Sequence, residues 1–162
     1  MLTTGFVGLH MTDAPVALIT GGASGIGAAT ARRLLDQAHR VTITGRGHDR
    51  LGRFAEELGE PAGLLPLAGD AADYDAVHAA VEATVHKFGR LDTVVANAGF
   101  ATHDNLADGD PARWREMVLT NVLGPALLIK ATLYPPCSRH RGGSCSSVAS
   151  PASSIPRATS TG

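Results

Sequence analysis

Apolar residues in this chain come in short runs separated by stretches of helical period. The runs fall at 16–20, 40–44, 63–68 and 91–96, as in Val16-Ala17-Leu18-Ile19-Thr20 and Arg40-Val41-Thr42-Ile43-Thr44. Short runs rich in Val, Ile, Leu and Thr predict buried strands. Between them, 25–38, 48–58 and 73–88 predict helices. In the third, Val77, Ala80, Val81, Thr84, Val85 and Phe88 recur at helical spacing, and Gly89 stands where a helix C-cap belongs. A longer helix, roughly 111–133, starts from Pro111 with Trp114, Val118, Val122 and Leu127 among its apolar positions. Strands alternating with helices predict an α/β fold, a parallel sheet covered on both faces.

After Tyr134 the pattern stops. Residues 134–162 hold both cysteines, Cys137 and Cys145, and all but one of the serines, and they contain no acidic residue. The division predicted is an extension at 1–14 (with Met11 as the natural start), a folded portion at 15–133 and an irregular Ser/Pro-rich tail at 134–162.

Composition narrows the chemistry. The 162 residues are 44% hydrophobic and 18% charged, which suits a globular domain. The net charge of −1 gives no basic excess for nucleic acid. No apolar run approaches the roughly 18 residues that span a bilayer, so no membrane association is expected. The cysteines have no metal-type spacing and the seven histidines form no His-Glu-x-x-His pattern. No metal is expected, and a reduced, cytoplasmic compartment is the default.

The chemistry concentrates in Thr20-Gly21-Gly22-Ala23-Ser24-Gly25-Ile26-Gly27, which follows the first strand run and opens the first helix. Such a loop aims backbone N–H groups and a helix N-terminus at one spot, and that spot favours a phosphate. Gly21 permits the turn, Gly25 lets the backbone approach a pyrophosphate, and Gly27 lets the helix pack closely. A carboxylate about 20 residues further on would suit the ribose 2′-hydroxyl of NAD. Gly45 and Arg46 stand there instead, and a guanidinium suits the 2′-phosphate of NADP. NADP is therefore expected over NAD.

With these residues in place the chain resembles the short-chain dehydrogenase/reductase family. The likeness rests on the loop at 20–27, Gly69-Asp70 after strand three, Ala96-Asn97-Ala98-Gly99 after strand four, and Asn121 in Leu119-Thr120-Asn121-Val122. It implies a Rossmann-type doubly wound sheet, here incomplete, with strands in the order 3-2-1-4. It implies cofactor contacts from Thr20, Gly21, Ser24, Gly25, Ile26, Gly27, Arg46, Asp70, Asn97, Ala98 and Gly99. Asp70 would bind the adenine or else cap the helix that starts near Asp73. Asn97 would stabilise the end of the central strand, and Asn121 would hold a water in a proton relay.

The family's activity is hydride transfer between nicotinamide and a small carbonyl or alcohol, and its members often pair through the helix containing Asn121. Its general acid/base is a Tyr whose pKa is lowered by a Lys four residues later. This chain has no Tyr-x-x-x-Lys: Tyr74 is followed four on by His78, and Tyr134 by Ser138. Ser150 is the candidate for the family's catalytic serine. Alternatively, the tail is read out of frame. Most serine codons begin TC, so a one-base shift turns the serine run into an apolar strand and Ser150 into an accident of frame. The two functions expected are an NADP(H)-dependent oxidoreductase and a fragment that at most binds the dinucleotide.

Overall fold

The computed structural model describes residues 14–133. The expectations for 1–13 and for 134–162, Ser150 included, lie outside the described residues. Four parallel strands form one sheet in the order β3-β2-β1-β4: β1 (Val16–Thr20), β2 (Arg40–Gly45), β3 (Leu64–Ala68) and β4 (Thr93–Val95). Helices α1 (Gly25–Asp36), α2 (His48–Glu57) and α3 (Tyr74–Phe88) connect them, and α4 (Pro111–Val118) and α5 (Gly124–Leu133) follow β4. The doubly wound parallel sheet and its strand order are as expected.

Side chains alternate across a strand, so neighbours in β1 serve opposite cores. Ile19 joins Ala31, Val41, Ile43, Leu51 and Phe54 under α1 and α2. Leu18 joins Val77, Val81, Leu128 and Ala131 under α3 and α5. All five β1 residues are buried, because both faces of the sheet are covered. Full burial of a side chain such as Leu18 is worth about 1.5–3 kcal/mol.

One buried polar contact joins the layers. Thr84 Oγ on α3 lies 2.9 Å from Thr42 Oγ on β2 and donates to the Ala80 carbonyl at 2.6 Å. Both threonines are fully buried. Thr84→Val leaves the Thr42 hydroxyl unpaired and is expected to cost about 1–3 kcal/mol, whereas the double change to Val is near neutral. Chemical denaturation of both variants checks this. A double variant as unstable as the sum of the two single variants would contradict it.

Helix ends follow their sequence signals. Asp73 caps α3, accepting from the N–H groups of Asp75 (2.9 Å) and Ala76 (3.5 Å), and Gly89 closes it at φ +82°. Strand β4 is shorter than the 91–96 expected. Asp92 is spent instead on a clamp: its carboxylate accepts from Val16 N–H at 2.8 Å and from Arg90 at 2.6–3.0 Å. The Arg90 contact, then the Val16 N–H, hold its carboxyl below the usual range.

The helix expected at 111–133 is continuous but not uniform. A π turn, Leu119–Leu123, separates α4 from α5. Pro125 supplies the reason, since it has no N–H for the Asn121 carbonyl four residues back and its ring crowds that carbonyl. The wider turn shifts the downstream phase. Of the apolar positions of this helix, Val118 before the turn and Val122 within it are 53% and 67% exposed, and Leu128 and Ala131 beyond it are buried. Taken as one 23-residue helix, Pro111–Leu133 is also long and apolar enough, by length and composition, to cross a membrane. That corrects the reading by uninterrupted runs, which the scattered polar residues of this segment had broken up.

Candidate dinucleotide site

The carboxyl ends of all four strands are tied to one another. Thr20 Oγ accepts the N–H groups of Asn97 and Ala98, both at 3.1 Å. The Asn97 amide returns the link, donating to the carbonyls of Thr20 (3.1 Å) and Gly21 (3.2 Å). Gly22 N–H donates to the Thr44 carbonyl at 3.1 Å, and Gly69 N–H to the Gly45 carbonyl at 3.0 Å. Four loops are thereby held along one edge of the sheet, where open parallel sheets place their ligands.

Two glycines in the first loop adopt the left-handed region, Gly21 at φ +67° and Gly25 at φ +52°. Gly27 is needed for space. A Cβ there would strike the Gly21 carbonyl and stand 2.5 Å from Asn97 Nδ2. The close approach expected of Gly27 is thus real, but it is to the loop and Asn97 rather than to the strand face. A Cβ on Gly22 would lie 2.5 Å from Ile43 Cγ2.

Between the loops lies a cleft of about 320 Å3. Gly21, Ser24, Arg46, Asp70, Ala98 and Gly99 line it. Thr20, Gly25, Ile26, Gly27 and Asn97 are not among its lining residues. Thr20 and Asn97 position the walls, and Ile26 is 80% exposed. Asp70 is not the cap of α3. Its carboxylate accepts from Ala72 N–H at 2.9 Å at the cleft wall.

Helix α1 starts at this cleft. Ser24 occupies its N-cap position but makes no side-chain cap, and the first turn holds no acidic residue. By contrast, α2 carries Asp49 in its first turn, and Asp73 and Asp110 cap α3 and α4. The partial positive charge of the α1 terminus is thus left for an external anion.

Asn121 sits in the π turn, a deformation often found at functional sites. Its amide bonds the backbone of Phe100, accepting from the N–H at 3.1 Å and donating to the carbonyl at 2.9 Å. The neighbouring Thr120, not Asn121, lines the cleft. Phe100, Arg50 and Thr120 were missed from the sequence. Arg50 had a signal, standing four residues after Arg46 at the start of a predicted helix. Phe100 had none beyond its place after Gly99. The loop carrying Phe100 runs on to Asp104, which accepts from Trp114 Nε1 (3.1 Å) and Asp110 N–H (3.2 Å).

Among the described residues, no Tyr and Lys are brought together at the cleft. Lys130 Nζ lies 4.6 Å from the centre of the Tyr74 ring. Among the described residues, no Tyr or Lys lines the cleft.

Known proteins share this arrangement. The sequence model of the short chain dehydrogenases matches residues 15–161, through the Ser/Pro-rich segment in the frame as written. Cis-4-hydroxycyclohexanecarboxylate dehydrogenase of Sinomonas cyclohexanicum is 40% identical over 121 residues, 73% of this chain and 48% of that protein. Sulfoacetaldehyde reductase 2 of Chromohalobacter salexigens is 37% identical over 119 residues, 73% of this chain and 47% of that protein. Among solved structures, 3-ketoacyl-(acyl-carrier-protein) reductase from Brucella melitensis, complexed with NADH, superposes with TM-score 0.69 at 34% identity, over 75% of this chain and 49% of that one. A variant of actinorhodin polyketide ketoreductase with NADPH superposes with TM-score 0.71 at 33% identity, over 75% of this chain and 47% of that one. The chain spans about half the length of the curated relatives it matches. Its strand order, glycine loop, cross-tied strand ends and family match agree: the chain belongs to the short chain dehydrogenase family.

Proposed function

We propose that this chain is the dinucleotide-binding portion of an NADP(H)-dependent oxidoreductase acting on a small carbonyl or alcohol. The observation that carries the reading is the end of β2, where Gly45 and Arg46 line the cleft and no carboxylate takes the place suited to a ribose 2′-hydroxyl. The residues present fit the group. The loop from Gly21 to Ser24 and the first N–H groups of α1 would hold the pyrophosphate. Arg46 would pair with the 2′-phosphate, and Asp70 at the cleft wall would meet the adenine. When bound, the nicotinamide supplies or takes the hydride. The chain's own part is to bind, to orient and to keep the loops fixed, with Thr20 and Asn97 holding the two central ones together.

Arg46→Ala is expected to weaken NADPH binding by about ten- to a hundredfold, the worth of a charge-assisted hydrogen bond, while NADH changes by less than about twofold. Equal loss for both cofactors in a calorimetric titration would overturn the pairing of Arg46 with the 2′-phosphate.

A second reading is favoured by one observation. The cleft is lined by neither Tyr nor Lys among the described residues, and the sequence holds no Tyr-x-x-x-Lys. In that reading the chain binds the dinucleotide without turning it over. A reductase assay with a panel of aldehydes and ketones separates the two, since turnover above the enzyme-free rate excludes the second.

A further inference from the structure

The cleft has an aromatic residue with no role so far. The Arg46 guanidinium carbon lies 5.9 Å from the centre of the Phe100 ring, and both residues line the cleft. They arrive from opposite sides. Arg46 directly follows β2 and Phe100 follows β4, with β1 between those strands in the sheet, so the contact joins the two sides of the cleft. The backbone that carries the ring is held, because both backbone polar groups of Phe100 are bonded to the Asn121 amide. Among the described residues no carboxylate pairs with Arg46.

We propose that Phe100 is a specificity-determining positioning residue: its ring is the platform that holds the Arg46 guanidinium at the cleft, and so sets the preference for a dinucleotide bearing a 2′-phosphate. The inference rests on the NADP(H) reading above. A guanidinium against a ring face keeps its in-plane N–H groups available to an anion, which a lysine could not match. Without the ring, Arg46 would have to be ordered by the phosphate alone, at a cost to binding. Asn121 acts in the same chain of contacts, since it anchors the platform.

The test uses the full chain and direct calorimetric titration with NADPH and NADH. Phe100→Leu keeps apolar bulk and the backbone clamp but removes the π face. It is expected to weaken NADPH by roughly two- to fivefold, the range of a solvent-exposed cation–π contact, and to leave NADH unchanged. Phe100→Tyr, which keeps the π face, restores NADPH affinity. In an Arg46→Leu background the effect of Phe100→Leu vanishes. Equal weakening of both cofactors by Phe100→Leu, or an effect that persists without Arg46, would overturn the proposal. If Arg46→Leu abolishes the preference while Phe100→Leu preserves it, this proposal fails and the NADP(H) reading stands. If the unsubstituted chain binds NADPH and NADH equally, the NADP(H) reading fails and takes the proposal with it; if Arg46→Leu leaves a preference for NADPH untouched, the proposal fails alone.

Discussion

Gly27→Ala is expected to abolish detectable dinucleotide binding and to cost about 3 kcal/mol of stability, the upper range for an overpacked site. The added methyl has nowhere to go. It would strike the Gly21 carbonyl and stand 2.5 Å from Asn97 Nδ2. These are backbone and a twice-bonded amide, not the free end of a flexible chain, so neither can swing aside. Relief requires α1 to move off β1 or the Asn97 links to Thr20 and Gly21 to break. Either movement displaces the loop that lines the cleft through Gly21, Ala23 and Ser24. Gly25→Ala makes a useful contrast. A Cβ there meets nothing within 4 Å, so its cost is that of the left-handed backbone at φ +52°, about 1–2 kcal/mol. Thermal or denaturant unfolding of the two variants checks the order, and a Gly27→Ala protein of parental stability would contradict the packing described.

Thr20→Val is the second large effect, expected at about 2–4 kcal/mol with a marked loss of dinucleotide affinity. Valine fills the same volume, so packing is conserved and only the hydroxyl is lost. That oxygen accepts two N–H groups, from Asn97 and Ala98, at 3.1 Å each. Leaving a buried donor without an acceptor costs about 1–3 kcal/mol. Thr20→Ser keeps the oxygen and should recover most of the loss. A Thr20→Val protein of parental stability would contradict the role given to these hydrogen bonds.

Most of the sheet was legible because β1 and β2 are buried on both faces, and such strands read as plain apolar runs. Asp73 and Gly89 marked the ends of α3 for equally local reasons. Legibility failed where a residue's work is tertiary. Asp92 lies inside an apolar run but serves a clamp on Val16 and Arg90, so β4 starts late. The helix predicted over roughly 111–133 assumed one uninterrupted helical period, which the π turn before Pro125 breaks. Gly124-Pro125 was the available signal.

The site divided in the same way. Glycines and Arg46 were readable because turns and phosphates demand particular residue types at fixed offsets. Thr20 at the end of β1 and Asn97 just beyond β4 bond each other and are not among the residues that line the cleft. Phe100 could not be found, since its contact with Arg46 joins two strand ends that only the sheet order brings opposite. The glycine loop, Asp70, Asn97 and Asn121 also carried the family resemblance, which the match over 15–161 established.

The central claim is that this cleft holds a dinucleotide and prefers the one with a 2′-phosphate. Calorimetric titration of the full chain with NADPH, and separately with NADH, tests it most directly. The account predicts saturable one-to-one binding of both, with NADPH tighter by about tenfold or more and its advantage shrinking as salt screens Arg46. No saturation by either cofactor at millimolar concentration, or equal affinity for the two at low salt, would contradict it.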